Sequence, residues 1–181
     1  VADGSATGTI VNDDVINPAN LMLSISDASV VEGVPGSGVA PGWFSTSGNQ
    51  IVDSAGNPVQ IAGINWFGME SDIFTPHGLW TRNYQDMMDQ MVALEFNTIR
   101  LPYSSEMLHT TKMPSGIDFY RNPELAGLTP IEIMDEVIRY AGEVGLRVIL
   151  DHHRSSAGAG ATANGLWYEG QDTEAQWNAD W

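Results

Sequence analysis

The 181-residue chain predicts an α/β fold, a parallel sheet curved like part of a barrel wall, entered through a short all-β and linker segment. Three observations carry that expectation. Strand-like and helix-like segments alternate from about residue 61 onward, the order that builds parallel sheets. The strand-like segments are two-faced, apolar on one side and polar on the other, which suits a wall with helices outside. Their polar residues gather at the C-terminal ends, where function collects in such barrels.

In chain order, residues 1–33 are small and polar. Two strand-like pieces, Ala6–Val11 and Leu21–Ile25, are set off by the turn formers Asn12-Asp13-Asp14 and Asn17-Pro18. Residues 34–42, rich in Gly, Pro and Ser, read as a linker, and 43–181 as the next unit. A β-hairpin is expected with arms Gln50–Asp53 and Pro58–Ile61 around Ser54–Asn57, then a strand over Ile61–Phe67. Asn83 caps a helix running to about Leu94, with Met87, Met88, Met91 and Leu94 at helical spacing as core. Asn97–Tyr103 is the second strand. Thr129 and Pro130 open a helix with Ile131, Met134, Val137, Ile138 and Ala141 on one face; Gly145 ends it. Arg147–His153 is the third strand, and another helix begins near Asp172.

Charge narrows the function classes. The net charge of −16, with no Lys or Arg from Val1 to Trp80, argues against a nucleic-acid partner and suits a neutral or cationic ligand. No apolar run is long enough to insert in a membrane, and the lack of cysteine removes disulfides and thiolate metal sites. The opening Val1-Ala2-Asp3 and the close at Trp181 read as an excerpt of a longer protein, so a missing targeting signal carries no weight.

The chemistry sits in LRVILDHHRS, residues 146–155. Alternation puts Val148, Leu150 and His152 on one face and Ile149, Asp151 and His153 on the other; Ile99 and Leu101 oppose Thr98 and Arg100 likewise. Arg100, Tyr103, Asp151 and His153 stand at the same strand ends. An Arg100–Asp151 pair could brace the barrel, orient its neighbours, or both. His152 and His153 point to opposite faces and are poorly placed to share a metal. Loops after successive strands bring His77 and Trp80, then Phe119 and Tyr120, then Trp167 and Tyr168 to one mouth. Such rings stack on the C–H faces of sugars, so a carbohydrate cleft is the favoured reading.

The stretches IAGINWFG, HGLW, NTIRLPYS, GLTPIEIMDEVIRYAGEVGLRVILDHHR and LWY, in that order, resemble bacterial cellulases of glycoside hydrolase family 5. The resemblance implies a partial (β/α)8 TIM barrel, the first three strands of eight. It implies a secreted, extracellular bacterial endo-β-1,4-glucanase that retains configuration, acts on β-glucan and needs no cofactor for catalysis. Within it Arg100 and His153 match supporting active-site residues, and Asn65, Phe67, His77, Trp80, Tyr103 and Tyr120 fall where relatives line the cleft. The acid/base and nucleophile carboxyls, about 5 Å apart in retaining enzymes, would come from strands four and seven, beyond Trp181. Neither Glu106 nor Asp151 matches them. The excerpt alone is therefore expected to be inactive and unstable, its sheet edge and inner face uncovered. Some relatives carry cysteines where this chain has Asp72 and approximately Ala157, so those loops are expected to be looser.

The segments DGSATGTIVNDD and LSISDASVVEG resemble the end and start of Calx-β repeats, which makes Asp13, Asp14 and Glu32 candidate calcium ligands; a solvated acidic turn is the competing reading. Two further functions stay open: a β-mannanase on the same barrel, and a non-catalytic, calcium-dependent adhesion or carbohydrate-binding module.

Overall fold

In the computed structural model of the chain, residues 42–160 and 173–180 are described. The calcium-ligand candidates Asp13, Asp14 and Glu32, the third-loop rings Trp167 and Tyr168, and the expected linker up to Pro41 lie outside them. The elements run β1 (Ser45–Ser47), β2 (Gln50–Val52), β3 (Gly63–Asn65), α1 (Tyr84–Ala93), β4 (Thr98–Ser104), α2 (Ser105–His109), a 3-10 turn at Pro123–Leu125, α3 (Pro130–Glu143), β5 (Arg147–Arg154) and α4 (Glu174–Asp180). Strands β3, β4 and β5 form a parallel sheet in that order, and β1 and β2 form a separate antiparallel hairpin.

The hairpin differs from the one expected. Its arms are β1 and β2, joined over Gly48-Asn49, and the expected arm Pro58–Ile61 keeps only a bridge from Val52 to Pro58 and a Val59 N–H bond to the Ile51 carbonyl. Proline has no N–H to give, so a ladder starting there stays incomplete. The turn between is held by Asp53, whose Oδ1 accepts the Ala55 and Asn57 amides at 2.9 Å each. The hairpin sits at the N-terminal end of the sheet. There the Arg147 guanidinium lies 4.2 Å from the Phe44 ring centroid and donates to the Gly42 carbonyl.

The helices follow their caps. The Asn83 side chain accepts from the Gln85 and Asp86 amides, and α1 ends at Leu94. At α3, Thr129 and Glu132 exchange bonds as a capping box with Pro130 in the first turn. Gly145 follows α3 at φ 80°, the left-handed conformation that ends helices cheaply. The buried faces are shifted from those expected. In α1, Tyr84, Met88 and Met91 are buried while Leu94 is exposed; in α3, Ile133 takes the core place expected of Ile131.

One side of the sheet is covered. Ile64, Ile99, Leu101, Val148 and Leu150 pack against Met88, Met91, Ile133, Met134 and Val137 of α1 and α3. Burying five or so such side chains contributes on the order of 10 kcal/mol before chain entropy is subtracted. The other side, with Asn65, Arg100, Ile149, Asp151 and His153, has no helix over it among the described residues; Ile149 is 46% exposed. A half-buried parallel sheet is unusual.

Candidate active site

The uncovered face supplies the polar cluster. Register places Asn65 of β3 beside Arg100 of β4, and Asp151 of β5 beside Pro102. Arg100 therefore lies between two strands with its guanidinium fork reaching both. Nη1 donates to Asn65 Oδ1 at 3.2 Å and Nη2 to Asp151 Oδ2 at 2.5 Å. His153 Nδ1 stands 2.9 Å from the same Asp151 oxygen and 3.3 Å from Arg100 Nη2. The ladder between β4 and β5 is irregular after Tyr103, where Ser104 pairs with Arg154 and His153 is the extra residue. A bulge of this kind re-aims a side chain at a strand end.

The first loop adds an aromatic platform. Phe67 stacks on the His77 ring at 4.3 Å between centroids, and Trp80 meets His77 edge-on at 4.2 Å. Phe67 and Trp80 are each about half exposed, so the rings are assembled yet open to a ligand. The backbone is wound tightly to present them. His77 N–H bonds the Phe67 carbonyl, Trp66 Nε1–H bonds the His77 carbonyl, and Gly68 N–H bonds Glu70 Oε2. Gly68 has φ 131°, and a Cβ there would lie 2.2 Å from the Thr75 carbonyl oxygen. Only glycine fits. In the second loop Tyr120 is almost fully exposed and Phe119 is partly so.

Tyr103 does not join this group. It shares the parity of Ile99 and Leu101, is 1% exposed, and lies in the core with its ring 5.6 Å from that of His152. His152 likewise faces away from His153. Its Nε2 is 2.7 Å from Ser105 Oγ, and its ring meets Trp177 of α4 at 4.6 Å. Among the described residues no group of three or more His, Asp or Glu side chains could hold a metal.

Two residues that pattern did not single out hold the loops in place. Asn122 is fully buried and makes four bonds: Nδ2 donates to the carbonyls of Leu79, Arg82 and Asp118, and Oδ1 accepts the Tyr84 amide. It ties the loop of Trp80 to that of Tyr120. Its signal was an asparagine between Arg121 and Pro123, which reads only as a turn. Glu106 of α2 fastens the loop after β5, accepting the Ala157 amide at 3.0 Å and Lys112 Nζ at 3.0 Å. The Lys112 bond first, then the Ala157 amide, holds this carboxyl below its usual range. The Gly158 amide also bonds the Glu70 carbonyl, so the loops expected to be loose without cysteines are joined through the backbone.

The cellulase model of glycosyl hydrolase family 5 matches residues 52–181. An endoglucanase of Paenibacillus polymyxa is 44% identical over 140 residues, covering 77% of this chain and 34% of its own length. The major extracellular endoglucanase of Xanthomonas campestris pv. campestris is 44% identical over 143 residues, 79% of this chain and 29% of its own. The solved catalytic domain of that enzyme superposes with a TM-score of 0.67 over 76% of this chain and 39% of its own. A cellotetraose complex of the endocellulase from Pyrococcus horikoshii, 36% identical, superposes at 0.67 over 77% of this chain and 37% of that one. The chain thus spans about a third of the length of these curated relatives. The uncovered sheet face is the inner wall of a (β/α)8 barrel of which β3, β4 and β5 are three strands. With a matched segment of this extent, at this identity and on this sheet, the chain belongs to the cellulases of glycosyl hydrolase family 5.

Proposed function

We propose that the protein containing this chain is an endo-acting β-1,4-glucanase that cleaves with retention of configuration. The observation that carries the reading is the Asn65–Arg100–Asp151–His153 cluster on the inner face, next to the Phe67–His77–Trp80 platform. The names of the relatives support a glucan substrate, as does the cellotetraose held by the Pyrococcus horikoshii enzyme.

In this mechanism the residues at hand bind and orient. The half-exposed rings stack on the apolar faces of glucose units, which sets the chain's direction along the groove. Arg100 holds a fixed positive charge on the barrel floor. It steadies the nucleophilic carboxylate, which a later strand of the same barrel supplies together with the acid/base carboxyl. Retention requires those two groups about 5 Å apart. His153 sits against Asp151 as the neighbouring donor or acceptor for substrate or nucleophile. Tyr120, exposed on the second loop, extends the cleft. Secretion accords with the extracellular Xanthomonas relative. Asp13, Asp14 and Glu32 would bind calcium if the N-terminal segments form Calx-β repeats.

A protein carrying the complete barrel, assayed on soluble cellulose and on mannan, decides the activity. Rapid loss of cellulose viscosity with β-anomeric product first in the NMR spectrum is the expected result. Preference for mannan, or α-anomeric product, would overturn the substrate or the stereochemistry.

A further inference from the structure

We infer that Asp151 is a positioning residue which fixes the tautomer of His153, leaving Nε2 as the ring's hydrogen-bond acceptor. The inference rests on the hydrolase reading for its catalytic consequence and on geometry alone for the tautomer.

His153 Nδ1 lies between two groups that make opposite demands. A carboxylate only accepts, and Asp151 Oδ2 is 2.9 Å away; a guanidinium only donates, and Arg100 Nη2 is 3.3 Å away. One nitrogen of a neutral imidazole cannot satisfy both. If Nδ1 bore a lone pair, it would face the carboxylate oxygen at 2.9 Å, lone pair against lone pair. If Nδ1 bears the hydrogen, the bond to Asp151 is charge-assisted and of ordinary length. The guanidinium loses little by that choice, since Nη2 already donates to Asp151 at 2.5 Å and Nη1 to Asn65 at 3.2 Å. The hydrogen therefore belongs on Nδ1. Nε2 keeps its lone pair, on a side chain 45% exposed at the uncovered face. It is set to accept from a sugar hydroxyl or from a protonated carboxyl brought by the rest of the barrel.

One oxygen thus organises both site residues. Asp151 holds the arginine on β4 and the bulged histidine on its own strand; without it Arg100 keeps its bond to Asn65 and His153 loses its acceptor. The alanine variant is informative because it removes the shared oxygen and leaves the guanidinium in place. Nδ1 would then face only the Arg100 Nη2 donor, which requires a lone pair on Nδ1 and puts the hydrogen on Nε2. An acceptor would become a donor.

The test uses the protein with the complete barrel, with 15N-labelled histidine and the His153 signal assigned by its loss in His153→Gln. Wild type is expected to show the Nδ1–H form, and Asp151→Ala the Nε2–H form. Partner carboxylates of this kind are worth about 10- to 100-fold in metal-bound histidines. A drop of that order in kcat is expected here, with KM little changed and the aromatic platform untouched. An Nε2–H signal in wild type overturns the inference, as does an Asp151→Ala protein with wild-type kcat. Should that variant fail to fold, the wild-type signal still decides the tautomer. A wild type without β-glucanase activity would overturn the functional reading instead, and the spectrum, recorded without substrate, tells the two failures apart.

Discussion

Replacing Asn122 by alanine should cost both stability and substrate affinity, and the structure allows the first to be worked out. The side chain makes four bonds in a fully buried position. Two of its partners are insured: the Leu79 carbonyl also accepts the Asp118 amide, and the Asp118 carbonyl accepts those of Arg121 and Asn122. The Tyr84 amide and the Arg82 carbonyl depend on Asn122 more heavily. Two orphaned groups at about 1–3 kcal/mol each give roughly 2–6 kcal/mol, with a central value near 4. For a domain of this family's size that is a fall in Tm of roughly 8–16 °C. The bonded carbonyls flank Trp80, and the Asn83 side chain also donates to the Arg121 carbonyl beside Tyr120. The wall of rings should therefore lose its fixed spacing and KM for glucan should rise. Calorimetry and kinetics on Asn122→Ala in the complete barrel read both quantities. A Tm within a degree or so of wild type would refute the reasoning, since it would mean water replaces all four bonds at no cost.

Other perturbations probe separate parts. Gly68→Ala puts a methyl group 2.2 Å from the Thr75 carbonyl oxygen at a φ of 131°, so a loss of roughly 2–4 kcal/mol is expected. Equilibrium denaturation measures it, and a neutral result would show that the loop relaxes. Trp80→Ala removes one ring of the platform; KM should rise roughly 2- to 12-fold with kcat nearly kept, because an aromatic stacking contact is worth about 0.5–1.5 kcal/mol. Glu106 gives a pH dependence. Its folded carboxyl titrates below the unfolded one, so its hold on the third loop is complete above the usual carboxylate range and is lost as pH falls through the folded value. Amide protection at Ala157, corrected for intrinsic exchange, should drop on acidification in wild type and show no such step in Glu106→Gln.

The parts legible in sequence were those with local physical causes. Asn83 and Thr129 announced their helices because a capping side chain acts within three residues, and the structure bonds both as the pattern implies. Arg100, Asp151 and His153 were found together because strand parity and strand ends are arithmetic. Tyr103 obeys that same parity, which sends it to the core with Leu101; standing at the strand's end was a weaker guide than facing. The hairpin was placed one arm too late because Pro58 resembles a strand start yet donates nothing. Helix α2, at five residues, is too short to show a period, and it starts where Ser104, the last residue of β4, bonds the Met107 amide. Asn122 and the tethering role of Glu106 were invisible for another reason. Their partners lie about forty and fifty residues away in the chain, and no local rule reaches that far.

The fork of Arg100 has a bearing on how the protein comes to be folded at all. Parallel strands are joined late and across long stretches of chain, so a slip by one position is a standing hazard. Sliding β4 by one residue would turn Arg100 toward Met88 and Val137 and leave Leu101 over the groove, stranding a cation in oil. Three strands each lend one member of the Asn65–Arg100–Asp151 chain, and it closes only when all three are aligned. A cluster proposed to serve the sugar cleft thus doubles as the key that admits one alignment and shuts out its neighbours.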